Sequence, residues 1–218
     1  MRSIKMLAFS EVTLKRATKI NIQDAIIEAI VFASKESFEN TGVHIRKMPE
    51  YYLNVLIAHR LTNIFPSLGY RLEMPVKEAL LGLGVNSAEN GDDLRDGGRF
   101  DIVLTSKKSR KLRHVIEVKR SLSNRQLLKD AKRLKALATE RHQSKRLETG
   151  FIATVSRLKI SPRANNIDGL LDTRMSNIQR CLGSSMNVSC RFQVLDSGLF
   201  GFPVHESLVV TVFCLQKS

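Results

Sequence analysis

Stretches whose apolar residues recur every three or four positions alternate along the chain with stretches where they recur every second one. From Ile22 to Phe38, Ile26, Ile30 and Ala33 share one side and Asn21 stands ahead as a cap, which predicts a helix ended by Thr41-Gly42. Pro49 to Phe65 predicts a second helix. Proline suits the first helical position, Leu53, Ile57, Leu61 and Ile64 form a stripe, and Pro66 and Gly69 close it. Tyr70 to Val76 reads as a strand, with Pro75 marking an edge or an end. Residues 82–98, rich in Gly, Asn and Asp, read as a loop. Arg99 to Thr105 and His114 to Lys119 both alternate and are rich in β-forming residues, and the polar, basic connector between them predicts a hairpin. Ser123 to about Arg141 predicts a helix: Ser123 and Gln126 have capping-box spacing, and Leu127, Ala131, Leu134 and Ala138 form its apolar stripe. A strand at Gly150–Val155, a helix at Ile167–Leu182 and two strands at Val188–Leu195 and Leu208–Leu215 complete the reading. Residues 1–20 yield no element.

With 218 residues, 43 % of them hydrophobic, the chain can bury a sizeable core, and one domain is expected. No apolar run approaches the roughly 18 residues of a membrane span. The first ten residues lack the apolar stretch and cleavage pattern of a signal peptide, so the expected location is the cytoplasm. Cys181, Cys190 and Cys214 are odd in number and lack C-x-x-C spacing, which argues against a disulfide framework and a structural zinc site. The five histidines are scattered. The net charge of +14 matters for where it sits. Fifteen Lys and Arg lie between Lys107 and Arg146, opposed only by Glu117, Asp130 and Glu140. So concentrated a positive field suits a polyanion, of which nucleic acid is the commonest; the competing reading is a solubilising face.

The hairpin carries the chemistry. Strand side chains alternate between faces, so Asp101 shares a face with Arg99 and Val103, and Glu117 shares one with Val115 and Lys119. A hairpin centred on Ser109 sets position 101 opposite position 117, with Cβ atoms about 4.5–5.5 Å apart. Two carboxylates so close repel each other, and a divalent cation together with Lys119 would compensate them. Hard oxygen ligands suit Mg²⁺, with Mn²⁺ as substitute. A metal-bound water is a ready nucleophile, and Lys119 could orient or deprotonate it or stabilise the charge that develops on phosphate. The competing reading of the trio is a structural ion pair of Glu117 with Lys119 or Arg99.

Gly98-Arg-Phe-Asp101-Ile-Val-Leu followed by His114-Val-Ile-Glu117-Val-Lys119-Arg120 resembles the PD-(D/E)XK nuclease superfamily, with its restriction-endonuclease-like fold. Asp101 matches the family's aspartate and Glu117-x-Lys119 its (D/E)xK element; Phe100 stands where the family's proline would be. The resemblance implies an α/β (α+β) fold with an αβββαβ core at about residues 48–156. That core is a central mixed sheet flanked by helices, preceded by an N-terminal helical extension (1–47) and followed by a C-terminal helix and β-hairpin addition (157–218). It implies Mg²⁺-dependent hydrolysis, usually of DNA, by an endodeoxyribonuclease of the restriction, junction-cleaving or phage-defence type. Asp101 and Glu117 would be the metal ligands, with the Val118 carbonyl completing the set. A homodimer would fit cleavage of both strands, through the tail hairpin or the first helix. A basic nucleic-acid-binding module that keeps the fold without the chemistry is the alternative.

Many family members add an acid from the helix before the first strand. Glu28 should face solvent, whereas Glu50 lies in phase with Leu53, Ile57, Leu61 and Ile64 and is the preferred accessory acid, as metal or water ligand. Its competing role is a first-turn residue satisfying the helix dipole. Arg99, Arg120, Arg125, Lys129 and Lys132 are candidate nucleic-acid contacts, against plain exposed charges. Gln126 could reach the site, although its capping-box role already explains it. Asp92, Asp93 and Asp96 read as a solvated acidic loop rather than metal contacts.

Overall fold

The computed structural model describes residues 14–85, 94, 98–139, 147–159, 167–195, 200 and 206–218. Asp92, Asp93, Asp96, Glu140, Arg141, Lys145 and Arg146 lie outside them. The elements are α1 (Lys19–Thr41), α2 (Glu50–Ile64), β1 (Leu68–Pro75), α3 (Val76–Leu83), β2 (Arg99–Ser106), β3 (Leu112–Lys119), α4 (Asn124–Thr139), β4 (Thr149–Lys159), α5 (Ile167–Leu182), β5 (Met186–Leu195) and β6 (Glu206–Lys217). Single 3-10 turns stand at Ile45–Lys47 and Gly183–Ser185. The architecture is α/β: one six-stranded mixed sheet in the order β1-β2-β3-β4-β6-β5, flanked by five helices.

β1, β2 and β3 form an antiparallel meander. β3 and β4 run parallel, with α4 as the connection that a parallel pair requires. β6 then inserts between β4 and β5, antiparallel to both. Its residues from Glu206 to Leu215 are all buried, because both of its faces are covered.

The sheet separates two apolar layers. On one face α1 and α2 lay Ile22, Ile26, Ile30, Leu53, Ile57 and Leu61 against Ile102, Leu104, Ile116, Val118, Ala153 and Val210. On the other, α3, α4 and α5 lay Leu80, Leu127, Leu134 and Ile178 against Val103, Val115, Ile152 and Phe213. The N-terminal helix α1 shares this core layer with α2. The C-terminal strands β5 and β6 pair antiparallel and continue the central sheet beyond β4.

α4 sits close to the sheet because β4 has no side chain at Gly150. A Cβ there would meet three side-chain carbons of Leu134 at 3.1–3.2 Å, tighter than ordinary packing.

Two expectations are corrected. The strand ends at Pro75 and the loop expected from residue 82 starts later: Val76–Leu83 forms α3, with Val76, Ala79, Leu80 and Leu83 buried at helical spacing and Gly84 ending it at φ +81°, while residues 86–93 and 95–97 of that loop lie outside the described residues. Eight residues leave too short a pattern to separate helix from strand. At α4 the side-chain oxygen of Gln126 accepts from the Ser121 hydroxyl at 2.9 Å, so Gln126 bonds ahead of the helix rather than closing the box with Ser123. Among the described residues no helix is long and apolar enough to cross a membrane, and all three cysteines are free.

Candidate functional site

The β2–β3 ladder pairs Ile102 with Ile116, Val103 with Val115 and Leu104 with His114, the register of a hairpin centred on Ser109. A bulge between Leu104 and Thr105 absorbs one residue nearer the turn. One step beyond Ile102 and Ile116 stand Asp101 and Glu117, both turned towards α4. There the Asp101 carboxylate takes over as acceptor: the Val118 amide donates to its Oδ2 at 2.7 Å.

Lys119 connects the acids. Its Nζ lies 3.3 Å from Asp101 Oδ2, 3.3 Å from Glu117 Oε2 and 3.8 Å from Asp130 Oδ2, and donates to the Val118 carbonyl at 3.0 Å. Glu117 is 1 % exposed. Its other oxygen, Oε1, accepts from Arg133 Nη1 at 3.1 Å. Arg133 is held in turn by the Arg99 carbonyl, at 2.6 Å from Nη2, and by the Phe100 ring, 4.2 Å from its guanidinium carbon.

Three carboxylates thus face two cations at the end of the strands. Burial, with the Asp101 charge beside it, pushes the Glu117 carboxyl up to about 8 against the opposing pull of Lys119 and Arg133. Asp130 is raised by burial, against the pull of Lys119. Burial disfavours the charged form of Lys119, but Glu117, Asp101 and Asp130 outweigh it and hold its ammonium protonated far above neutrality. Asp130 Oδ2 is buried and accepts no hydrogen bond. With three carboxylates against two cations in a buried cluster, the charged forms of Glu117 and Asp130 are disfavoured.

Asp101, Glu117 and the Val118 carbonyl are oxygen donors of the kind a hard divalent cation takes, and the Lys119 ammonium stands within 3.3 Å of all three. Among the described residues no group of three His, Cys, Asp or Glu side chains could hold a metal ion, so a cation here would rest on two carboxylates, backbone and solvent.

A cleft of about 800 Å³ opens onto these groups, lined by Asp101, Glu117, Lys119 and Asp130 and, on its outer wall, by Arg125, Lys129 and Lys132. The outer three are exposed, and α4 carries no acid besides the inward-turned Asp130. Arg99 and Gln126 line the same cleft; the Arg99 side chain reaches the Glu73 carbonyl at 3.4 Å and makes no ion pair with Glu117.

Glu50 arrives differently from the other acids. Its helix packs on the opposite face of the sheet, and its side chain, 37 % exposed, lies 3.8 Å from Arg120. Burial raises its pKa, Lys119 lowers it and Asp101 raises it, so it senses the cluster from the far side of the strand ends. Arg120 also donates to the Arg46 and Met48 carbonyls, which ties the end of β3 to the turn before α2. Glu28 faces solvent and pairs with Lys15.

The residues that sequence reasoning passed over are Asp130 and Arg133. A signal for Asp130 was present: it stands three positions after Leu127 and four before Leu134, a charged residue on the buried stripe of α4. Arg133 was hidden among the many basic residues of its segment. No family model, curated protein or solved structure matches this chain.

Proposed function

We propose that the protein is a Mg²⁺-dependent nuclease that hydrolyses phosphodiester bonds, most simply an endodeoxyribonuclease. The observation that carries this reading is the convergence of Asp101, Glu117 and Lys119 within 3.3 Å contacts at the mouth of a cleft whose outer wall is basic. The order α2, β1, β2, β3, α4, β4, with α3 inserted, supports a restriction-endonuclease-like core.

Asp101, Glu117 and the Val118 carbonyl would hold the cation. When bound, Mg²⁺ lowers the pKa of a coordinated water and shields the charge developing on phosphate. Lys119, kept protonated by its acidic neighbours, donates hydrogen bonds to the attacking water or to a phosphate oxygen and stabilises negative charge as it builds. Arg125, Lys129 and Lys132 hold the nucleic-acid backbone along α4, and Arg99 and Arg120 extend that contact on either side of the acids. Such contacts orient the backbone without reading sequence.

Incubating the protein with plasmid, single-stranded DNA, branched DNA and RNA, each with Mg²⁺, Mn²⁺ or EDTA, tests the reading. Cleavage that needs the metal and disappears in Asp101→Asn supports it. Absence of cleavage on all four substrates leaves the second reading, a basic nucleic-acid-binding module. That alternative has its own support in the saturation of Glu117, whose two oxygens are already held by Lys119 and Arg133. Its signature would be binding that responds to Mg²⁺ only as to any salt.

A further inference from the structure

Arg133 occupies an unusual position for a cation in a basic cleft. Its neighbours Arg125, Lys129 and Lys132 point into the open space, whereas Arg133 is 15 % exposed and turned back onto Glu117. Its guanidinium is incompletely satisfied: Nη1 and Nη2 have partners, but Nε is buried and donates to nothing. It also lines the same cleft as the three outer cations, so a backbone running along α4 passes within its reach.

The acids on the inner side make the consequence directional. With Arg133 in place, Asp101, Glu117 and Asp130 face two cations. If Arg133 turns to a phosphate, the same three carboxylates face Lys119 alone, and Glu117 Oε1 loses its donor. Two oxygens of a phosphate accept a bidentate pair of hydrogen bonds from a guanidinium as readily as a carboxylate does.

We propose that Arg133 is a positioning residue that couples the two halves of the site: it holds Oε1 of Glu117 in the free protein and passes to a phosphate when nucleic acid enters the cleft, which frees that oxygen for a divalent cation. This rests on the nuclease reading above. Because linkage is reciprocal, nucleic acid then tightens metal binding and metal tightens nucleic-acid binding by the same factor.

The test is calorimetric titration of the full chain with Mn²⁺, alone and with a phosphorothioate DNA duplex that is verified intact afterwards. In the wild type the duplex is expected to tighten Mn²⁺ binding by at least about five-fold, the lower end of ordinary coupling. Arg133→Gln is expected to bind Mn²⁺ more tightly than wild type without duplex and to lose most of the enhancement, while Arg133→Lys keeps part of it. A wild-type Mn²⁺ affinity that ignores the duplex overturns the proposal without recourse to any variant, as does an Arg133→Gln protein with unchanged coupling. If Asp101→Asn leaves the Mn²⁺ isotherm of the free protein unaltered, the underlying metal-site reading fails instead, so the two failures are distinguishable.

Discussion

The Val118 amide donates to Oδ2 of Asp101 at 2.7 Å, so a carboxylate on one strand closes the hydrogen bonding of the other where their ladder ends. This bond fixes Asp101 beside the Val118 carbonyl and sets Glu117 and Lys119 on either side of it. A strand end of this kind cannot be changed silently, and the variants below are chosen with that in mind.

Asp101→Asn keeps an acceptor for the Val118 amide, and Glu117→Gln keeps the shape of its side chain. Both are expected to abolish cleavage while leaving nucleic-acid binding intact or improved, since a negative charge near phosphate is gone. Gel-shift and plasmid-nicking measurements on the same preparations check this; full cleavage by either variant removes the residue from the site.

The Glu117 carboxyl is pushed up to about 8 chiefly by burial. Between the ordinary glutamate value and about 8, the folded chain holds a proton there that the unfolded chain has released, so this group's contribution to stability falls as pH rises through that window. Asp130 and Glu50, also raised by burial, act with the same sign. Thermal unfolding in EDTA is expected to lose more stability between about pH 5 and pH 8 in the wild type than in Glu117→Gln. Parallel curves for the two proteins would show that Glu117 titrates normally.

Salt dependence reads out the basic face of α4. For duplex DNA each phosphate contact contributes roughly 0.9 log units of affinity per decade of salt. Replacing Arg125, Lys129 and Lys132 together with Ser should therefore lower the slope by about 2–3. An unchanged slope moves the binding surface off α4.

Glu50 and Asp130 reach the strand ends from opposite faces of the sheet. Glu50→Gln is expected to lower the cleavage rate at least ten-fold, about 1.4 kcal/mol at the transition state, and to weaken Mn²⁺ binding, with Glu28→Gln silent. Running Asp130→Asn beside them decides which face supplies the accessory acid: a silent Glu50→Gln with an impaired Asp130→Asn assigns that role to α4.

Gly150 sets the distance between α4 and the sheet. Gly150→Val would drive a branched side chain into Leu134 and is expected to cost about 1–3 kcal/mol of stability, measured by denaturant unfolding.

Local pattern was enough for much of this molecule. The apolar stripe of α4 and the alternation of β2 and β3 follow from short-range periodicity, and with the hairpin centred on Ser109 they placed Asp101 opposite Glu117. The same periodicity put Leu53, Ile57, Leu61 and Ile64 on the inner side of α2. It could not say which face of the sheet that side would meet, because period tells a helix where its own apolar face lies and nothing about its neighbour. Only the tertiary packing laid α2 and α4 on opposite faces, which brings Glu50 to Arg120 and brings Asp130 and Arg133 to Lys119 and Glu117. Contacts between residues on different elements depend on how whole layers stack, and in a segment so rich in Lys and Arg nothing local distinguished Arg133 as turned inward.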